Sequence, residues 1–194
     1  MRKTPVTLGV LSMVFGGLVA LYSGFSLVFQ SFSGSFMGSL GQLAASAPRK
    51  PGQPDPQLMF TKLGEAVKSV APYTTALLAG KVIFSIALLI IGYGLYKRMR
   101  WSRSGAIGWG ALALLFLVAE LMVTIGVVQP RMNAAMQEVF RSMPNGDPGA
   151  TMMQAMQGSQ SAITIVMNLV LYAPFPILLL ILCGRRSAAG DFVD

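Results

Sequence analysis

Two long apolar runs joined by a short basic turn constrain this chain more than any other feature. Between about residues 72 and 128 the runs flank Lys97-Arg98-Met99-Arg100-Trp101-Ser102-Arg103. Each is long enough to cross a bilayer, which takes about 20 apolar residues. Each also holds one ionisable residue, Lys81 in the first and Glu120 in the second. A lone charge at the centre of a membrane helix costs about 3 kcal/mol or more, so such residues turn inward and pair. The hairpin therefore predicts an apolar exterior and a polar interior, the reverse of a soluble domain.

Composition agrees. Only 11% of the 194 residues are charged, against about 25% in an ordinary soluble domain. Hydrophobic residues make up 54%, and the mean hydropathy is +0.62. The net charge of +8 would suit nucleic acid only if it lay on a soluble basic face. Here the Lys and Arg residues sit mostly beside apolar runs, where they act as topology signals. We therefore expect no nucleic-acid partner.

Two further apolar runs complete the pattern. The first covers about 5–32 after the basic start Arg2-Lys3. It is about twice the usual length of a signal-peptide core, so we expect it to be retained as a membrane helix. The last covers about 161–183, holds Pro174 and Pro176, and is closed by Arg185-Arg186. Proline inside such a helix removes hydrogen bonds and should kink it.

The segments between the runs are more polar. In 33–71, a Ser/Gly-rich stretch and a break around Pro48-Arg49-Lys50-Pro51 precede an amphipathic pattern over 57–70. That pattern should lead into the second membrane helix, with a bend at Pro72. In 129–160, Gln129-Pro130 reads as a break, Arg131 to Met143 as a second amphipathic helix, and Pro144 to Gly149 as a turn.

The expected fold is an all-α integral membrane protein. Four transmembrane helices, about 5–32, 72–97, 104–128 and 161–183, form an antiparallel bundle in one domain, with outer helical, hairpin-like extensions at 33–71 and 129–160. The basic clusters share one side and mark it as cytoplasmic. Both termini should then be cytoplasmic, in a plasma (inner) membrane. The lack of any Asn-x-Ser/Thr site favours a bacterial source.

Candidate functional residues follow from depth and spacing. Lys81, Glu120 and Asn168 each lie about 25 Å from the nearest cytoplasmic basic anchor at about 1.5 Å per residue. Lys81 and Glu120 are thus expected to meet as an ion pair in an intramembrane polar cluster with Asn168. Thr74, Ser85, Thr124, Thr164 and Tyr172 fall on the same faces as these three. Ser12, Gly16, Ala20 and Gly24 form a small-residue stripe expected to admit a neighbouring helix closely. Met132, Met136, Met143, Met152, Met153 and Met156 form a candidate partner-contact surface, since methionine adapts to varied neighbours. Trp101 and Trp109 are expected as interface anchors.

Much chemistry is excluded. The chain has no histidine and one cysteine, Cys183. It cannot build a His-assisted nucleophile, a thiolate zinc site or a Cys-ligated iron–sulfur cluster on its own. We expect no metal, no cofactor and no enzymatic activity. The first functional reading is a protein acting through helix–helix contacts, as an accessory or scaffold subunit of a membrane complex or as a homo-oligomer. The alternative is a small ion or proton channel or transporter using Glu120 and Lys81. An apolar cytoplasmic half, Leu88 to Ile91 and Leu112 to Leu117, weighs against a pore within one subunit.

The topology is directly testable. In a Cys183→Ser background, Lys50→Cys should react with an impermeant maleimide added outside, and Trp101→Cys only after the inner face is opened. The opposite pattern refutes the orientation.

Overall fold

The computed structural model describes residues 4–45, 56–141, 165–166 and 168–184. Among these the structure is helical, with α1 over Thr4–Ala45, α2 over Pro56–Tyr96, α3 over Arg100–Val123, α4 over Gln129–Arg141 and α5 over Pro174–Gly184. Three of its helices are long and apolar enough to cross a membrane: Pro5–Phe32, Phe60–Tyr96 and Arg100–Glu138. A shorter apolar helical stretch covers Asn168–Gly184. The chain divides into two compact units, one of Met1–Ser26, Leu77–Glu120 and Val166–Asp194, the other of Leu27–Ala76 and Leu121–Ile165.

Several expected boundaries are replaced by longer helices. The Ser/Gly-rich stretch after Phe32 continues α1 as far as Ala45. Serine hydroxyls at Ser31 and Ser39 bond to carbonyls of the helix itself and so do not compete with it. Ser31 Oγ donates to Leu27 O at 3.0 Å and Ser39 Oγ to Phe36 O at 2.9 Å. The amphipathic stretch before Pro72 belongs to α2, which is unbroken through that proline. The break expected at Gln129-Pro130 is also absent. A π-helical segment, Thr124–Val128, links α3 to α4, and Gln129 N–H donates to Thr124 O, five residues back. Pro130 lacks an N–H and would press on the carbonyl of Gly126 in a regular helix, and a wider turn accommodates it. In the fourth run the helix is interrupted at Ala173, and α5 starts afresh at Pro174. A proline at the first helical position loses no bond it could have made.

The first unit has a core of Leu8, Leu88, Ile91, Leu95, Ala106, Trp109, Leu179 and Cys183. Helices α1 and α2 meet at small residues. A Cβ added to Gly9 would lie 2.5 Å from Tyr96 N and 2.7 Å from Gly92 O. One added to Gly92 would lie 2.9 Å from Ser12 Cβ. These backbones touch because neither glycine has a side chain. Helices α2 and α3 run antiparallel from a tight turn. Arg98 N–H donates to Leu95 O at 3.1 Å and Met99 N–H to Gly94 O at 2.9 Å, the paired bonds that end a helix on a left-handed residue. That residue is Arg98, with φ of 58°. Arg103 Nε then donates to Cys183 O at 2.9 Å and joins α3 to α5.

In the second unit, α4 pairs with the first half of α2. Lys62 and Glu138 are 3.2 Å apart. Arg131 Nη1 donates to Ser69 O at 2.9 Å, and its guanidinium lies 5.1 Å from the Tyr73 ring centroid. Gln30 Nε2 of α1 donates to Thr74 Oγ1 of α2.

The small-residue stripe on α1 is thus in contact at one end only. A Cβ on Gly16 would lie 3.1 Å from Ser85 O, whereas one on Gly24 meets nothing within 4 Å, and Ala20 is only half-buried. Gly92→Leu and Gly16→Leu should each lower stability by about 1–3 kcal/mol through overpacking, with Gly92→Leu the worse. Gly24→Leu should leave the thermal midpoint of the detergent-solubilised monomer unchanged. Equal losses for Gly16→Leu and Gly24→Leu would refute this division of the stripe.

Candidate functional site

The candidate site lies in the first unit, where α1, α2, α3 and the residues leading into α5 converge. Lys81 sits on α2 one turn before Ser85, and Ser85 Oγ donates to Lys81 O at 2.6 Å. Glu120 sits near the end of α3. The antiparallel register that places Gly80 of α2 against Phe116 of α3 brings the two charges together. Lys81 Nζ is 2.6 Å from Glu120 Oε1, with side chains only 12% and 8% exposed. Burial at this level makes each charge dependent on the other, since an unpaired one would lose its hydration without replacement.

Lys81 has a second neighbour. Its ammonium lies 4.5 Å from the ring centroid of Tyr172. The cation is thus held between a carboxylate and the face of an aromatic ring, an attraction of about 2 kcal/mol where water is excluded. Tyr172 is the helical residue just before the interruption at Ala173, and that interruption falls beside the ion pair.

Aromatic rings build the rest of the site. Phe15 of α1 stacks on Phe175 of α5 at 4.6 Å and meets Tyr172 edge-on at 6.5 Å. Phe84 of α2 lies 4.9 Å from Phe116 and 6.5 Å from Trp109 of α3. Trp109 in turn meets Phe175 edge-on at 6.4 Å. Edge-to-face and offset pairs of this kind contribute about 0.5–1.5 kcal/mol each beyond their burial. Trp109 Nε1 also donates to Phe84 O at 2.9 Å, so its one polar atom is satisfied inside the apolar layer. Between the rings and the ion pair is a cavity of about 50 Å³ whose lining includes Lys81, Ser85, Glu120, Trp109 and Tyr172. Such a volume has room for a few water molecules and not for a ring-sized ligand.

The expected site residues divide as follows. Lys81 and Glu120 are brought together. Asn168 is half-buried and is not among the residues lining the cavity; Tyr172, one turn further on, stands beside Lys81 instead. Trp109 is no interface anchor but a buried core residue, while Trp101 is exposed, with Nε1 3.2 Å from Met99 Sδ. Met132 and Met136 are half-buried on α4; Met143, Met152, Met153 and Met156 lie outside the described residues. Among the described residues, no group of three or more His, Cys, Asp or Glu side chains converges to hold a metal ion. The aromatic enclosure was not foreseen. Its signal was present in the helical spacing of Phe84 with Lys81, and of Phe116 and Trp109 with Glu120, three to eleven residues apart on the same faces.

Compared with known proteins, the chain matches no family model, no curated protein and no solved structure.

The two partners are not equivalent. Glu120→Gln leaves Lys81 the ring of Tyr172, whereas Lys81→Met leaves a buried carboxylate without its cation. Lys81→Met should therefore destabilise more, and the double variant should recover part of the loss, with a coupling of about 1–2 kcal/mol. A double-mutant cycle by thermal unfolding in detergent measures it. Strict additivity would refute the coupling.

Proposed function

We propose that this chain is a non-enzymatic integral membrane protein that acts through helix–helix contacts, as an accessory or scaffold subunit of a larger complex or as a homo-oligomer. The observation that carries this reading is the inversion of the usual soluble pattern. The charges Lys81 and Glu120 are inside the first unit, while Leu21, Phe25, Ile83, Leu115 and Met122 are each about 70% exposed. On the part of α1 in the first unit the exposed residues Leu11, Val14, Leu18, Leu21 and Phe25 recur every three or four positions and form one outward apolar stripe. In water that surface would drive aggregation, whereas in hydrocarbon it is the ordinary exterior.

On this reading the four apolar runs form an antiparallel transmembrane bundle, with both termini and the basic turn on the cytoplasmic side of a bacterial plasma membrane. Contact with other chains is supported by an open small-residue face. Gly17, Ala20 and Gly24 share one side of α1, and a Cβ on Gly17 or Gly24 meets nothing within 4 Å. In lipid, such faces let a second helix approach closely. The channel reading is not adopted. From Leu88 towards the turn the buried residues are mostly apolar, Leu88, Ile91, Leu95, Ala106, Leu179 and Cys183; the buried serines Ser12 and Ser102 are isolated hydroxyls among them and make no continuous polar path.

Native mass spectrometry from mild detergent tests the proposal. The parent should appear as an oligomer or with a co-purifying subunit, and Gly24→Leu should reduce that species without lowering monomer stability. A lone monomer for the parent, with no partner retained, overturns it.

A further inference from the structure

In the second unit, the first half of α2 carries an exposed face on the side away from its buried residues. The buried side is marked by Ala66 and Val70, 7% and 6% exposed. At about 100° per residue, Gly64, Glu65, Lys68 and Pro72 fall together on the opposite side. Glu65, Lys68 and Pro72 are exposed, and a Cβ on Gly64 would meet nothing within 4 Å.

The two charges on this face differ from the others described in the unit. Lys62 is paired with Glu138. Arg131 donates to Ser69 O and lies over the Tyr73 ring. Glu65 and Lys68 form no ion pair with any described residue. They stand at i and i+3, a spacing whose pairing within one helix is weak, so both are available to another chain. One acid and one base, a turn apart on one face, make that face complementary to a copy of itself. In a two-fold contact Glu65 of each copy meets the partner's Lys68, and the two pairs form together.

The membrane reading fixes the geometry of such a contact. Lys68 is about 44 Å from Lys97 along α2 at 1.5 Å per residue, and the hydrocarbon core is about 30 Å thick. The face therefore stands in the outer polar layer, where its charges keep their hydration. Two copies inserted the same way are related by an axis along the membrane normal, so their α2 helices run side by side in one direction. Glu65 and Lys68 then differ in height by about 4.5 Å, a gap that a Glu and a Lys side chain span. Gly64 removes a side chain that would hold the backbones apart.

We propose that this face of α2 joins two copies of the chain as a parallel homodimer, with two Glu65–Lys68 ion pairs across it. This rests on the membrane reading above and selects the homo-oligomer from its two forms. Exposed ion pairs are worth about two- to fivefold each, so they choose the partner and its register more than they supply affinity.

The test uses the full chain, labelled at its N-terminus with a donor or an acceptor dye and inserted into dilute phosphatidylcholine liposomes. Failure to float with the liposomes overturns the membrane reading and the dimer together. Energy transfer between donor- and acceptor-labelled parent should report the dimer. Its absence from protein that floats overturns the dimer alone, and a co-purifying subunit of another kind would then leave the wider reading standing. Glu65→Lys and Lys68→Glu should each weaken self-association by about tenfold, since two attractions of this size become repulsions. Donor-labelled Glu65→Lys mixed with acceptor-labelled Lys68→Glu should recover transfer, because opposite charges face each other again. A damaged fold does not recover on mixing, so transfer that stays lost in the mixture overturns the contact. So does transfer that is undiminished in both single variants; its loss in Gly24→Leu would then place the contact on α1.

Discussion

Gly9 and Gly92 set how near α1 and α2 can come, and the rest of the first unit depends on that distance. With a Cβ at either position the backbones would overlap, so the two helices would have to part. Their approach buries Ser12, Leu8, Leu88 and Leu95. It also brings Phe15 to the level where it stacks on Phe175 and meets Tyr172. On the membrane reading proposed above, burial itself would drive little association between these helices, and close van der Waals fit would replace it.

The ion pair is a different kind of constraint. It contributes little net stability compared with an apolar pair of the same shape, but it penalises any register that separates its members. Sliding α3 along α2 by one turn would move Glu120 about 5 Å from Lys81 and leave both charges in an aromatic layer. The cation–π contact with Tyr172 extends the same restriction to the segment before α5. Packing sets how tightly the helices fit, and the charges set which residues face one another.

The hairpin and its charged pair were legible in the sequence because both follow from counting. The basic turn supplies an origin, and rise per residue converts position to depth, so Lys81 and Glu120 fall at one level without further information. Helical spacing also showed that Ser12, Gly16, Ala20 and Gly24 share a face. It could not show how far along that face a neighbour extends, which is why Gly16 is in contact and Gly24 is open. Trp109 was misread for a related reason. Tryptophan is common near the membrane boundary, but the bond from its indole to Phe84 O removes the polar atom's need for water, and the ring then belongs inside. Helix ends were least legible. Ser, Gly and Pro are markers of loops in water, yet serine hydroxyls near Phe32 close on their own helix and a π segment absorbs Pro130.

Arg98 occupies the one position between α2 and α3 where the backbone is left-handed, a conformation that costs a residue other than glycine about 1–2 kcal/mol. Glycine is the usual solution there, and the chain uses it freely elsewhere, with 21 in all. Keeping arginine at this place trades conformational ease for charge density. With it, four of the seven residues from Lys97 to Arg103 are cationic, and the charge stands at the very tip of the hairpin. The loop is therefore shaped by two demands that compete for a single residue, and electrostatics has prevailed over backbone geometry.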